Sequence, residues 1–173
     1  KYFYIHKINS SYFYQKKNGS KLSNLSVYRE PTDVNFGGKV HGGAVTKWID
    51  QTGLRVPEHG QKPTFNCLSW RHTIHKAISI GEVIKIDAYV IYTGKTSVHI
   101  AVDVYSKNFE DNKFGKATHC IVVFVSVDED GKPQPVKPWH PKSDQDKQLA
   151  GNAKKLKLLR NKISEEMEPF LKA

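Results

Sequence analysis

Two stretches in the second half of the chain alternate apolar and polar residues with a period of two over nearly their whole length. Ile84, Ile86, Ala88, Val90 and Tyr92 alternate with Lys85, Asp87 and Tyr89, and Val98, Ile100, Val102 and Val104 alternate with His99 and Asp103. That period belongs to a β-strand with one face on a core, not to a helix. With two further stretches, strands are predicted at 64–76, 82–93, 96–107 and 116–128. Ile121-Val122-Val123-Phe124-Val125 is apolar on both faces, so the last of these should be the central, most covered strand. Gly94, residues 108–115 and residues 128–131 supply turns. The strands follow one short helix, which makes the fold class α+β: a long antiparallel β-sheet wrapped around a helix. A length of 173 residues suits a single core of that kind.

The helix opens from a glycine-rich turn. Residues 31–53 contain Gly37-Gly38 and Gly42-Gly43 on either side of Lys39-Val40-His41, followed by Ala44, Val45, Trp48 and Ile49 at helical spacing. Gly42 and Gly43 should therefore sit at the helix N-terminus, where unpaired N–H groups receive a phosphate, a carboxylate or a developing oxyanion. Asp50 lies seven residues beyond Gly43, about 340° round the helix, so the two share a face with Thr46 that is not the apolar stripe. A carboxylate there can act as a general base. Seven helical residues span about 10 Å, too far for one chain to bring donor and base to one carbon, and a second copy across a two-fold axis would close the gap. The same residues also suit a plain buried helix with a solvated carboxylate. His41 could be an acid or base, although a histidine beside such glycines more often packs and hydrogen-bonds to hold the turn.

Toward the N-terminus, Tyr2, Phe3, Tyr4, Tyr12, Phe13 and Tyr14 flank Asn9-Ser10-Ser11, suggesting a hairpin there, and residues 25–29 read as a short strand. These aromatics, with Lys7, Lys16, Lys17 and Lys21 among them, should cover an edge of the core. After Pro133, Pro135, Pro138 and Pro141, the stretch 144–172 with Leu149, Leu156, Leu159 and Ile163 predicts one or two terminal helices, weakened at Gly151 and Pro169. The chain thus divides into an N-terminal extension (1–24), a central domain (25–137) and a Pro-rich exit with a C-terminal helical segment (138–173).

Lys and Arg outnumber Asp and Glu by 27 to 17, a formal charge of +10 that favours anionic partners. The excess is diffuse, which argues against a nucleic-acid surface. No apolar run reaches transmembrane length and no signal-peptide pattern stands out, so no membrane partner is expected. Cys67 and Cys120 offer neither a disulfide framework nor zinc spacing, and a reduced cytoplasmic setting is the default. Serine-hydrolase elbows, phosphate loops and dinucleotide fingerprints are absent. His72-x-x-His75 falls in a predicted strand, where an odd offset sends the side chains to opposite faces, so no metal site is expected.

Pro31-x-Asp33-x-Asn35-x-x-Gly38-x-Val40-His41-Gly42-Gly43, with Asp50 in the helix, resembles the signature of the acyl-CoA hydrolase branch of hotdog-fold thioesterases. The likeness continues through Ile78-Ser79-Ile80-Gly81-Glu82-Val83, Gly94-Lys95-Thr96-Ser97 and residues 123–131, covering roughly 25–137. It implies a hotdog fold, a homodimer with one continuous sheet, and in many relatives a trimer of such dimers. It also implies hydrolysis of acyl-CoA to a free acid and coenzyme A, with no metal or covalent cofactor. By the same resemblance Asn35 and Asp50 form a catalytic pair completed across the dimer, and Gly42 or Gly43 polarises the carbonyl. His41, Lys39, Gly94, Lys95, Thr96 and Ser97 would then contact substrate, the lysines at the phosphates. Ala77 stands where many relatives have proline, and Trp48 replaces a smaller residue, most simply as core. Competing readings are a hotdog dehydratase using His41 and a non-catalytic acyl-CoA or nucleic-acid binder.

Overall fold

A computed structural model describes residues 12–17, 20–27, 34–54, 56 and 64–172. The chain order is β1 (Tyr12–Lys17), β2 (Ser20–Val27), α1 (Gly42–Gly53), β3 (Thr64–Ile74), β4 (Val83–Thr93), β5 (Ser97–Lys107), β6 (Gly115–Val127) and α2 (Asp144–Leu171). Among the described residues six strands join one antiparallel sheet in the order β1-β2-β4-β5-β6-β3. The four long strands fall within two residues of their predicted bounds.

α1 lies on one face of this sheet. Trp48 and Ile49 are buried against Ile84, Ile86, Ala88, Val98, Ile100, Val102, Val104, Val122 and Phe124, the inward set of the period-two pattern, with Ala44 and Val45 packed at the margin. The helix end lies tight on the sheet, where a Cβ on Gly53 would come within 2.9 Å of the Phe124 ring. Only glycine lets the helix sit that low on the sheet.

Two expectations change. The most covered strand is β5, buried at every position from Val98 to Val104, and β6 lies between β5 and the edge strand β3. The pattern suggested one buried face for β4 and β5, yet Asp87, His99 and Asp103 on the outer face are also buried. Tyr89, Lys85 and Lys116 bond to these carboxylates, and Ala153 of α2 packs on Ile91 and Ala101 beside them. Asp87 and Asp103 are directly paired across β4 and β5, a like-charge contact that Lys85 (3.0 Å from Asp87) and Lys116 (2.9 Å from Asp103) offset. Burial alone would push the Asp103 carboxyl up; the hydrogen bonds from His119 and Lys116 win and hold it down at about 2.

The hairpin placed at Asn9-Ser10-Ser11 lies outside the described residues. The observed N-terminal pairing runs from Tyr12↔Leu25 to Lys17↔Ser20, and β2 continues onto β4. The predicted terminal helix is a single one, α2, passing through both Gly151 and Pro169. Its start is well fixed: Ser143 accepts from the Asp146 N–H while the Asp146 side chain accepts from the Ser143 N–H.

Candidate active site

The glycine-rich turn folds around Asn35. Its Oδ1 accepts hydrogen bonds from the backbone N–H groups of Gly37 (3.0 Å) and Lys39 (3.1 Å), and its own N–H donates to the Lys39 carbonyl (2.8 Å). Two donors on one side-chain atom require that atom to be oxygen, so the amide NH₂ is the end left to face a ligand. Gly38 takes φ 70°, the left-handed conformation the turn needs. Val40 then hydrogen-bonds the Ile78 carbonyl, and Lys39 pairs with Ser79, tying the turn to the segment that leads into β4.

From this anchor α1 starts without a cap. His41 occupies the cap position, makes no side-chain capping bond, and no acidic residue stands in the first turn. The Ala44 and Val45 N–H groups are taken up by the His41 carbonyl, whereas no described residue accepts from Gly42 or Gly43 N–H. These two donors, with the positive end of the helix dipole, face outward. Neither glycine has positive φ, and a Cβ on either would meet nothing within 4 Å. The packing of one chain therefore gives no steric reason for glycine at 42 and 43.

Beside this terminus is a cavity of about 420 Å³ lined by Asn35, Lys39, Gly42, Val45 and Thr46 on one side and by Lys76, Ala77, Ile78, Ala117 and Thr118 on the other. It is mostly apolar, with the polar groups concentrated at the turn. Lys39 Nζ donates to Ser79 Oγ at 2.8 Å, and Thr46 Oγ1 to the Gly42 carbonyl at 2.9 Å. Lys76 also bonds Glu82 at 3.2 Å, leaving the second carboxylate oxygen of the buried Glu82 without a partner among the described residues.

Not every sequence-predicted residue meets here. Asn35, Lys39 and Gly42 line the cavity; Gly43 is adjacent; Asp50 does not line it. The Asp50 carboxylate is half-buried two turns along α1, has no ion pair among the described residues, and is pushed above the usual carboxylate range by burial. Gly94, Lys95, Thr96 and Ser97 form the turn between β4 and β5, where the Gly94 N–H donates to the Ser97 carbonyl (2.8 Å). That turn is at the end of β4 away from the 76–78 segment that lines the cavity of the same chain. The His41 side chain is exposed and makes no hydrogen bond among the described residues, so it does not hold the turn as expected; the Asn35 amide does that. Lys76, Ala117 and Thr118 were missed in the sequence, because they reach the site only through the pairing of β3, β6 and β5. His75 lies beyond the end of β3, and no metal-binding cluster occurs among the described residues. Among them, too, no helix is long and apolar enough to cross a membrane.

Residues 37–110 match the thioesterase superfamily. An uncharacterised acyl-CoA thioester hydrolase of Buchnera aphidicola subsp. Baizongia pistaciae is 30% identical over 129 residues, 72% of this chain and 94% of that protein. The chain belongs to the acyl-CoA thioester hydrolases of the thioesterase superfamily. Acyl-CoA thioester hydrolase YciA of Salmonella typhimurium is 30% identical over 118 residues, 65% of this chain and 87% of that one. Among solved structures, an apo-hexameric acyl-CoA thioesterase superposes with a TM-score of 0.76 at 26% identity, covering 83% of this chain and 92% of its own. A Staphylococcus aureus acyl-CoA hydrolase, solved with butyryl coenzyme A and coenzyme A, shares the fold with a TM-score of 0.77 at 22% identity, over 88% and 95% of the two chains. The hotdog fold of this thioesterase is thereby established.

Proposed function

We propose that this protein hydrolyses an acyl-CoA thioester to the free acid and coenzyme A at a site shared by two copies of the chain. The observation that carries the reading is the uncapped start of α1, where Gly42 N–H and the free amide NH₂ of Asn35 border one apolar cavity. Two donors beside a mostly apolar slot suit a carbonyl whose oxygen gains charge during reaction. The acyl chain takes the apolar part of the cavity, between Val45 and Ala117.

Asp50, two turns further along α1, is contributed by the partner copy. As general base it takes a proton from water while the water oxygen bonds the carbonyl carbon. The C–S bond then breaks, and the proton passes from the Asp50 carboxyl to the departing sulfur. Because burial raises the carboxyl, Asp50 is a better proton acceptor than an exposed aspartate, and the acid limb of the rate profile should lie above the ordinary carboxylate range. The same two-copy arrangement would bring the 94–97 turn of one chain toward the cavity of another, where Lys95 and Lys39 meet phosphates. Hydrolysis by water needs no metal or prosthetic group in this scheme, and larger assembly of such dimers, in the cytoplasm, is consistent with it. A dehydratase would need His41 held by an acidic partner, and none of the described residues bonds its side chain.

Thiol release across a series of acyl-CoA lengths, with wild type and Asp50→Asn, tests the reading. Turnover should fall by about 10²–10⁴ in the variant. Because Asp50 has no ion pair among the described residues and is partly desolvated, the melting temperature should hold or rise. Comparable turnover would remove Asp50 from the mechanism.

A further inference from the structure

α2 is longer than the sheet can use. Its first half packs on the face opposite α1, through Leu149 and Ala153 against Ile91, Ala101 and Ile121. From Asn161 to Phe170 every residue is exposed, a projection of about 15 Å. An unsupported helix of that length is marginal in water, and Pro169 removes one of its hydrogen bonds. Yet an apolar stripe runs into the projecting part from the turn before it: Leu159, Ile163, Met167 and Phe170 are 52%, 59%, 47% and 76% exposed.

With the half-buried Leu156, these residues are spaced 3, 4, 4 and 3 apart and fall within about 80° of the helix circumference. The spacing reads the same in both directions from Ile163. Charge does not: Lys154, Lys155, Lys157, Arg160 and Lys162 precede Ile163, and Glu165, Glu166 and Glu168 follow it. A parallel neighbour would set like charge beside like. An antiparallel copy centred on Ile163 sets Leu156 against Phe170 and Leu159 against Met167, with each basic half beside the other's acidic half.

We infer that the projecting half of α2 pairs antiparallel with α2 of a second copy, across a two-fold axis at Ile163. The stripe is small beside a standard interface, so it joins copies already held together elsewhere. α1 and the cavity are on the other sheet face, so this contact leaves the site free. A dimer formed along one two-fold axis closes into a tetramer or hexamer only through a second kind of contact, and α2 provides a self-complementary one. The acidic half disfavours the alternative of an anionic membrane surface.

The test is Ile163→Asp, read by light-scattering mass and by thiol release. The mass should drop to that of a dimer, with activity per chain within about twofold of wild type, which also shows that the variant is folded. An unchanged mass overturns the proposal, as does a wild type that is only a dimer. Orientation is read from disulfide capture between differently tagged Leu156→Cys and Phe170→Cys chains. Antiparallel pairing cross-links the two variants to each other. Cross-links within each variant alone, or none, overturn it. Co-sedimentation of wild type with phosphatidylserine vesicles, lost in Ile163→Asp at unchanged mass, would assign the stripe to lipid instead. Loss of thiol release by the wild type would strike the hydrolase reading and leave this one standing.

Discussion

Co-expression of an Asn35→Asp chain with an Asp50→Asn chain isolates the shared-site claim. Asn35→Asp keeps the oxygen that accepts from Gly37 and Lys39 N–H and removes only the NH₂ donor, so the turn should survive. Each variant alone should lose about 10²–10⁴ of the wild-type rate. From Gly42 to Asp50 is eight helical residues, about 12 Å along the axis, whereas acid–base partners must come within about 3 Å of the reacting atoms. If the two halves of a site come from different chains, a hybrid dimer collects both lesions in one site and leaves the other intact. Random association makes about half of the dimers hybrid, each with one good site of two, so the mixture should recover about a quarter of wild-type activity. Selecting hybrids through two different tags should raise that to about half. A hybrid no more active than its parents would show that Asn35 and Asp50 do not act on the same thioester from opposite chains.

Gly42→Ala should leave thermal stability unchanged or raised by up to about 1 kcal/mol, since the methyl meets nothing in the chain and alanine favours a helix, while kcat/KM falls. Calorimetry and thiol release on the same sample check both. Gly53→Ala should instead cost about 1–3 kcal/mol in urea denaturation, because the new Cβ comes within 2.9 Å of the Phe124 ring. Asp103, held at about 2 against 3.8, contributes about 2 kcal/mol of stability. Because its folded value is depressed, that contribution is complete above the unfolded value and is lost as pH falls from about 4 toward 2. Asp103→Asn should therefore show an acid loss smaller by about that amount, measured by urea denaturation at pH 5 and pH 2.5.

The strands were legible because Ile84 to Val90 and Val98 to Val104 keep strict alternation over a length no helix tolerates. What alternation hides is a second buried face built from polar groups. Asp87, His99 and Asp103 look like solvent positions, and only their tertiary partners show otherwise. The irregularity between Val90 and Tyr92 likewise puts both Ile91 and Tyr92 into the cluster under α2, which no fixed period would foresee. The site shows the same division. Asn35, the glycines and Asp50 are close in sequence and could be read together; Lys76, Ala117 and Thr118 belong to strand ends that meet only when the sheet is assembled.

The contact of Gly53 with Phe124 does more than let a helix lie close. It acts as a stop at the far end of α1, fixing how deep the helix is seated and so where its first turn and Asp50 stand relative to the strands. The cavity wall is made elsewhere, by Val45, Ala77 and Ala117, small side chains whose exchange for larger or smaller ones changes the length and girth of the slot. On the mechanism proposed above, selection can thus retune which acyl groups are accepted while the machinery that breaks the bond stays in register.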